Sequence, residues 1–303
     1  MSNVLRPGPK YRPDMPIKIE ACFFDIDNTL VSNDSAELPS QHFQQLARKA
    51  SNKVLIGVAT ARSLQRAEHI IAAIGSRGIS ILSNGAVLYD AAKKKIIIDN
   101  SLPLSVTNKL IQEFRQLMFS YQVQDDGIDY AWTYSEDSSS AKVAYTTAID
   151  PLYPGGSRRT VPDYSPSNPR ILCAAVFSKA DVARINSLAS KFANKDVTSF
   201  IGHTTPLEDG RTKYEVFVVH KHANKKWALA KALDILGISS EHVMTVVDGH
   251  NDLVLLEMAG VGVAVDNAVP DILSNATFIA PSQPNDGAAS ALEELVSSLK
   301  PKD

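Results

Sequence analysis

Residues 21–30 read Ala-Cys-Phe-Phe-Asp-Ile-Asp-Asn-Thr-Leu, a short apolar run that ends in two acidic residues, Asp25 and Asp27. The run from Ile19 to Phe24 lacks internal glycine and proline, which predicts a buried β-strand. Because side chains alternate along a strand, we expect Asp25 and Asp27 to project to the same side where the strand ends. Two carboxylates this close repel each other unless a cation or a shared proton lies between them. A turn cap needs only one aspartate, so the pair favours a chemical site.

A second apolar run far downstream also ends in acidic residues. Residues 243–252 read Val-Met-Thr-Val-Val-Asp-Gly-His-Asn-Asp, which predicts a strand followed by Asp248, a glycine turn and Asp252. Open α/β sheets build their sites in the crevice beyond the carboxyl ends of the strands. Asp25, Asp27, Asp248 and Asp252 offer oxygen ligands without a neighbouring Cys or His cluster, which favours a hard cation such as Mg²⁺ over zinc.

Two segments between these motifs predict contacts to an anion. The strand 54–59 ends on the hydroxyl of Thr60, and the helix that follows, Leu64 to Ile74, offers backbone N–H groups. Lys225 stands at the start of the predicted helix Trp227 to Leu236, where the helix dipole disfavours a cation unless an anion is bound nearby. Taken singly, Thr60 also fits a helix cap and Lys225 also fits a surface lysine. Arg62 is expected to form a structural pair near the turn after Thr60.

In chain order, these segments resemble the four motifs of the haloacid dehalogenase superfamily: DxDxT at 25–29, the hydroxyl at Thr60, the lysine at 225 and DxxND at 248–252. The flanking residues resemble its Cof-type branch, notably Ser83-Asn84-Gly85-Ala86 and the segments 259–268 and 285–289. The resemblance covers about residues 18–297. Three positions depart from the glycine usual in that branch without removing a functional group, namely Asn28, Ala61 and Val247.

The resemblance implies a Rossmann-like, doubly wound α/β core with an inserted α+β cap domain. It implies that Asp25 is the nucleophile that forms an aspartyl-phosphate and that Asp27 is the general acid and base. It also implies that Mg²⁺ is held by the side chains of Asp25 and Asp248 and the backbone carbonyl of Asp27, with Asp252 close by. The residues expected to bind the phosphorylated substrate are Thr60, Ala61, Lys225 and Asn251.

The order of predicted elements gives the domain boundaries. Strands and helices alternate through residues 17–85 and again from Asn224, which predicts a core of 1–85 and 221–303 around a β-rich cap of 86–220. Within the cap we expect a hairpin over 86–99, a helix from Ser105 to Tyr121 and a polar, turn-rich stretch over 122–169. The cap is expected to supply the substrate contacts, and the sequence does not select among its candidates, Asp125, Asp126, Arg170 and His203.

Composition excludes several classes of protein. The chain has 303 residues, 44% of them apolar, which is ordinary for a globular protein. Its net charge of −2 provides no electrostatic footprint for nucleic acid or for an anionic membrane. No stretch has the apolar core of a signal peptide or a membrane span, so we expect a cytoplasmic protein. Residues 1–16 are expected to form a tail that is flexible or ordered by contact.

Three functions remain compatible with the sequence. The first is a Mg²⁺-dependent phosphatase acting on a small soluble phosphomonoester, a sugar or polyol phosphate. The second is a phosphomutase, which shares the chemistry but must return the phosphoryl group. The third is a protein that binds a phosphorylated ligand without turnover, against which the intact carboxylates and Lys225 argue. The sequence leaves open whether the protein is a monomer or a homodimer.

Overall fold

The computed structural model describes residues 4–15, 17–33, 35–125, 128–135, 143–149, 158–160, 164–192 and 196–296. The chain divides into two compact units, of which the first comprises Met1–Asp99 and Asn224–Asp303 and the second Asn100–Ala223. The hairpin expected over 86–99 therefore belongs to the first unit, whereas the sequence assigned it to the insertion. That the inserted segment is a cap domain stays a prediction.

The N-terminal part of the first unit alternates strands and helices, as the sequence predicted. The strand before Asp25 is fully buried, and Ser40 caps the first helix by accepting a 2.9 Å hydrogen bond from the N–H of Phe43. In chain order the elements are β1 (Arg6–Pro7), β2 (Ala21–Phe24), α1 (Gln41–Ala50), β3 (Leu55–Val58), α2 (Leu64–Ala73), β4 (Ile79–Leu82), β5 (Val87–Asp90) and β6 (Lys95–Asp99).

The described part of the second unit contains two helices and an antiparallel sheet. Its elements are α3 (Leu104–Gln116), β7 (Ser120–Asp125), β8 (Ile128–Ser135), β9 (Val143–Ile149), β10 (Arg158–Thr160), β11 (Pro169–Val176), α4 (Lys179–Phe192), β12 (Val197–Pro206) and β13 (Thr212–His220). In the described residues the strand order is β10-β9-β8-β7-β11-β13-β12. Alternate side chains of the sheet, such as Leu172, Val216 and Val218, share an apolar core with helix residues such as Phe114.

The helix predicted from Ser105 to Tyr121 is one turn shorter than expected. It ends at Gln116, Met118 adopts a left-handed backbone with φ 58°, and the next strand begins at Ser120. The error has a physical cause, because Phe114 and Tyr121 are seven residues apart and continue a helical apolar stripe. Both rings do pack in the same core, 6.1 Å apart, but Tyr121 reaches it from a strand.

The stretch 122–169 is also more regular than its composition suggested. It contributes most of β7, all of β8, β9 and β10, and the first residue of β11. Polar residues occur in these strands because only one face of an antiparallel sheet has to be apolar. Several of the turns expected there, at 126–127, 138–140 and 154–156, lie outside the described residues.

The chain returns to the first unit with α5 (Lys225–Leu236), β14 (Val243–Val247), α6 (Leu253–Met258), β15 (Val261–Val265), α7 (Pro270–Asn275), β16 (Phe278–Ala280) and α8 (Gly287–Val296). The main sheet has the order β1-β16-β15-β14-β2-β3, and every pair is parallel except β1 with β16. The predicted α/β core is confirmed. Arg6 and Pro7 pair along the sheet edge, so this part of the tail is ordered by contact.

We found no helix in the described ranges that is long and apolar enough to cross a membrane.

Candidate active site

Three carboxylates converge at the carboxyl ends of β2 and β14. These strands are parallel neighbours in which Phe24 pairs with Val246, so the residues that follow them emerge side by side. The N–H of Asp25 donates to the carbonyl of Val246 at 3.0 Å and continues the ladder into the site. One oxygen each from Asp25, Asp248 and Asp252 lies within 4.8 Å of the others. The sequence predicted this convergence from the two acidic strand ends.

Lys225 is buried and pairs with two of these carboxylates, Asp25 and Asp252. It is the first residue of α5, whose cap is the side chain of Asn224. Its ammonium donates to Asp25 Oδ1 at 2.9 Å, to the carbonyl oxygen of Ala59 at 2.9 Å, and to Asp252 Oδ1. A lysine has three N–H donors, so protein acceptors take all of them. Because Ala59 follows β3 directly, the Lys225 side chain connects the segments that follow β2, β3 and β14.

The electrostatics of the cluster are dominated by burial. Burial raises the pKa of Asp25 to about 7, since the ammonium of Lys225 offsets only part of the cost of burying the charge, and Asp252 adds repulsion. Burial likewise raises the pKa of Asp248 to about 6, with Asp25 adding to the effect, and it raises the pKa of Asp252. Burial by itself lowers the pKa of Lys225, but its two carboxylate partners outweigh burial and hold that pKa above the ordinary value.

The cluster has the composition of a site for a hard divalent cation. When all three carboxylates are ionised they face one ammonium, which leaves an excess of two negative charges where Asp25 and Asp252 are buried and Asp248 is half-buried. The acidic cluster found in the described part of the chain contains no Cys or His, and carboxylate oxygens are the ligands that hard cations prefer. The donor set therefore fits the divalent metal that the sequence predicted, and the excess charge gives such an ion a reason to bind.

The carboxylate of Asp27 points elsewhere and pairs with Arg62. The guanidinium donates from Nε to Asp27 Oδ2 at 3.0 Å and from a terminal nitrogen to Oδ1 at 2.6 Å, a two-pronged ion pair. The side chain of Arg62 is 3% exposed and that of Asp27 is 26% exposed. The sequence predicted a structural pairing for Arg62 but could not identify its partner, because the two residues lie 35 positions apart.

The loop around Thr60 is fixed by the turn at 83–85. The Thr60 hydroxyl accepts from the N–H of Arg62 at 3.1 Å, and its carbonyl accepts from the N–H of Asn84 at 3.0 Å. Gly85 has φ 98°, and a Cβ there would lie 2.4 Å from the backbone of Asn224. This close approach requires glycine and brings the start of α5 against the loop. The sequence pointed to the Asn-Gly turn but did not predict that Gly85 contacts Asn224.

Asn28 and Thr29, the two residues after Asp27, also interact with the acidic cluster. The Thr29 hydroxyl donates to Asp248 Oδ1 at 3.2 Å, and the side chains of Thr29 and Asn28 both lower the pKa of Asp248 against the effect of burial. Asn28 has a left-handed backbone with φ 55°, a conformation that asparagine tolerates better than most residues. Its position after Asp27, where the family usually has glycine, was the signal that could have identified it.

The other predicted site residues differ in burial. Ala61 and Asn251 are exposed in the turns after Thr60 and Asp248. In the second unit, Asp125 and Arg170 are buried. Asp126 and the side chain of His203 lie outside the described residues.

Comparison with known proteins gives related sequences and folds. Over 101 residues, the chain is 40% identical to the putative phosphatase YxeH of Bacillus subtilis, a match to 31% of this chain and 37% of that protein. It is 25% identical over 286 residues to the 5-amino-6-(5-phospho-D-ribitylamino)uracil phosphatase YcsE of Bacillus subtilis, covering 94% and 98% of the two chains. The chain thus spans 37% of YxeH and 54% of another curated relative.

The fold is shared with solved structures. A haloacid dehalogenase-like hydrolase from Bacteroides thetaiotaomicron superposes with a TM-score of 0.69 at 19% identity, over 92% of this chain and 100% of that one. The sequence model of the haloacid dehalogenase-like hydrolases matches residues 22–292, which include both units and every predicted catalytic residue. The chain therefore belongs to the haloacid dehalogenase-like hydrolase family.

Proposed function

We propose that the protein is a Mg²⁺-dependent phosphatase that hydrolyses a small phosphomonoester, a sugar or polyol phosphate, through an aspartyl-phosphate on Asp25. The observation that carries the proposal is the cluster of Asp25, Asp248 and Asp252 at the strand ends, where buried Lys225 pairs with Asp25 and Asp252. Its excess negative charge is costly for the protein alone and suits a site that binds a cation together with a phosphate.

Asp25 is the nucleophile in this mechanism. One carboxylate oxygen attacks phosphorus in line with the departing alkoxide, and the resulting acyl phosphate is hydrolysed by water. Lys225 holds Oδ1 of Asp25 at 2.9 Å, which keeps the carboxylate oriented and offsets its charge as the anionic ester approaches. Mg²⁺ would be held by the side chains of Asp25 and Asp248 and the carbonyl of Asp27, with Asp252 nearby, and would supply the remaining charge neutralisation.

Asp27 is the general acid and base. It gives a proton to the leaving oxygen in the first step and takes one from the attacking water in the second. Its carboxylate is two residues from the nucleophile and is partly exposed, so a substrate oxygen and water can reach it. Thr60, together with the exposed Ala61 and Asn251, is proposed to bind the phosphoryl group. Thr60 accepts a hydrogen bond from Arg62, and its own O–H is suited to donate to a phosphoryl oxygen.

The substrate class is the finer part of the proposal. A relative aligned over 94% of this chain carries a name that specifies a phosphoribityl compound, which is a polyol phosphate. We propose that the second unit, residues 100–223, forms a cap that selects the ester, while the first unit carries the chemistry. The protein is proposed to act in the cytoplasm on small phosphorylated metabolites.

The deciding experiment incubates the purified protein with a panel of sugar, polyol and aryl phosphates, with Mg²⁺ or with EDTA, and measures released phosphate. We expect Mg²⁺-dependent release that EDTA abolishes and that is highest for a polyol or sugar phosphate. Rearranged ester without free phosphate would instead identify a phosphomutase. Ligand-induced thermal stabilisation without turnover would identify a binding protein.

A further inference from the structure

The ion pair between Arg62 and Asp27 is unusual in combining burial with complete two-pronged geometry. Both carboxylate oxygens of Asp27 accept from the guanidinium, at 2.6 and 3.0 Å, and only 3% of the arginine side chain is exposed. Exposed ion pairs are commonly mobile and weak, whereas a fork of two parallel hydrogen bonds fixes the plane of the carboxylate. Of the two predicted catalytic aspartates, Asp25 and Asp27, Lys225 contacts only Asp25 in the described structure.

Arg62 is itself held from several directions. Its N–H donates to the Thr60 hydroxyl at 3.1 Å, and its carbonyl accepts from the N–H of Ser83 at 2.8 Å. A backbone anchored on both sides and a buried side chain leave the guanidinium little freedom. Arg62 is therefore a rigid support that orients the carboxylate of Asp27, which lies on a different loop.

We propose that Arg62 is a positioning residue that holds the Asp27 carboxylate in the orientation needed for proton exchange with the leaving oxygen and with water. The assignment rests on the proposed phosphatase function. The fork engages both oxygens of a side chain that is 26% exposed, so it sets the plane in which the carboxylate meets substrate and water. Fixing it in one orientation is the contribution that supporting residues commonly make to catalysis.

The alternative is that the pair only ties two loops together. The two roles differ in what a substitution changes. Loss of a structural tie lowers thermal stability and affects all substrates alike. Loss of a positioning residue affects the esters that depend on Asp27 and spares aryl esters, whose leaving groups depart without a proton.

The test is a double-mutant cycle of Arg62→Gln and Asp27→Asn, with kcat measured on an alkyl and an aryl phosphate. For the alkyl ester we expect Asp27→Asn to lower kcat by about 100-fold or more and Arg62→Gln by about 10- to 100-fold. Because Arg62 acts through Asp27, the double variant should be no slower than Asp27→Asn alone. For the aryl ester, Arg62→Gln should change kcat by less than about threefold. The Mg²⁺ concentration for half-maximal activity should not change.

Two further variants control for folding and for loss of charge. Arg62→Lys keeps the buried stem and the charge but cannot form the fork, so it should show the same alkyl-selective loss in a folded protein. Arg48→Gln removes an exposed arginine of the same unit that donates to the carbonyl of Ala73, and it should leave both activities unchanged. If the two single-variant losses of kcat multiply in the double variant, Arg62 does not act through Asp27. The same conclusion follows if Arg62→Gln and Arg62→Lys slow both esters equally. Either result would overturn the role of Arg62 and leave the proposed function standing. A wild-type protein without phosphatase activity would overturn the proposed function and this role together.

Discussion

Both units bury an aspartate at the end of a strand, Asp25 after β2 and Asp125 as the last residue of β7, in opposite surroundings. Asp125 accepts four hydrogen bonds from neutral donors, two on each oxygen: the hydroxyl of Tyr164, the N–H and hydroxyl of Ser167, and the N–H of Asn168, at 2.6–3.1 Å. Those bonds use the acceptor positions of a carboxylate. Asp25 shares a single ammonium with Asp252 and faces Asp248.

The comparison separates a completed polar centre from an incomplete one. A buried carboxylate with all its acceptor positions filled stabilises the fold and has nothing left to offer a ligand. A group of three ionised carboxylates with a single lysine is destabilising until a cation joins it. Burial of charge is common to both places, and the balance of donors and charges distinguishes the structural aspartate from the catalytic candidate.

The largest expected effect comes from replacing these two aspartates in turn. Asp25→Asn should lower phosphatase activity by about three orders of magnitude or more, because it removes the nucleophile and a metal ligand together. It should not lower the free energy of unfolding of the metal-free protein at pH 8, since it removes a buried charge that the native state disfavours. Steady-state kinetics and urea unfolding measure the two quantities.

Asp125→Asn is the matched substitution and should have the opposite profile. Its NH₂ group would face two of the four donors, which leaves buried donors unsatisfied and costs about 1–3 kcal/mol of stability. Activity per folded molecule should stay near that of the wild type. The distinction between a structural Asp125 and a catalytic Asp25 would be wrong if Asp125→Asn abolishes turnover in a folded protein. It would also be wrong if Asp25→Asn lowers the free energy of unfolding as much as Asp125→Asn does.

A smaller effect is expected from removing the second unit. Asp99 pairs with Val87, and Gly85 lies against the backbone of Asn224, so the two ends are within about 17 Å of each other. A Gly/Ser linker of about eight residues can therefore replace residues 100–223. The remaining unit should keep Mg²⁺-dependent activity on an aryl phosphate but lose activity on alkyl esters, on the order of 100-fold, through lost substrate positioning.

The readout of that deletion is the ranking of substrates across the ester panel, together with circular dichroism of the shortened protein. An unchanged ranking would show that the second unit does not select the ester. A first unit that does not fold would show that the two units are not separate domains.

The smallest effect concerns the pH dependence of stability. Asp25 and Asp248 have a native pKa of about 7 and about 6, above that of an unfolded aspartate, so between pH 4 and 7 the native state binds more protons than the unfolded state. Their contribution to the free energy of unfolding is fully present below about pH 4 and is lost progressively until the pH passes about 6 for Asp248 and about 7 for Asp25, by at most about 1.4 kcal/mol per pH unit for each proton.

Thermal unfolding in EDTA, from pH 5 to 7.5, measures this contribution as the difference between the wild type and Asp25→Asn. The variant should lose less stability than the wild type over that range. Saturating Mg²⁺ should remove the difference in slope, because a bound cation favours the ionised carboxylates. Parallel curves for the two proteins in EDTA would contradict the raised pKa of Asp25.

Much of the site could be predicted from local pattern. An apolar run that ends in Asp25 and another that ends in Asp248 predict two buried strands, and parallel strands release their last residues at one edge. The expected helices are present, and Ser40 and Asn224 cap α1 and α5. The length of α3 was wrong by a turn because the spacing of Phe114 and Tyr121 fits a helix as well as a helix followed by a strand.

Local sequence therefore specifies the α/β core, the acidic strand ends and the lysine at the start of α5, because period, burial and capping are properties of neighbouring residues. The partners of the site residues are set by long-range packing. Lys225 contacts Asp25 across 200 positions, Arg62 contacts Asp27 across 35, and Tyr164 contacts Asp125 across 39. Such contacts depend on the order of strands in the sheet and on the path of each loop, so the pattern of any single segment does not encode them.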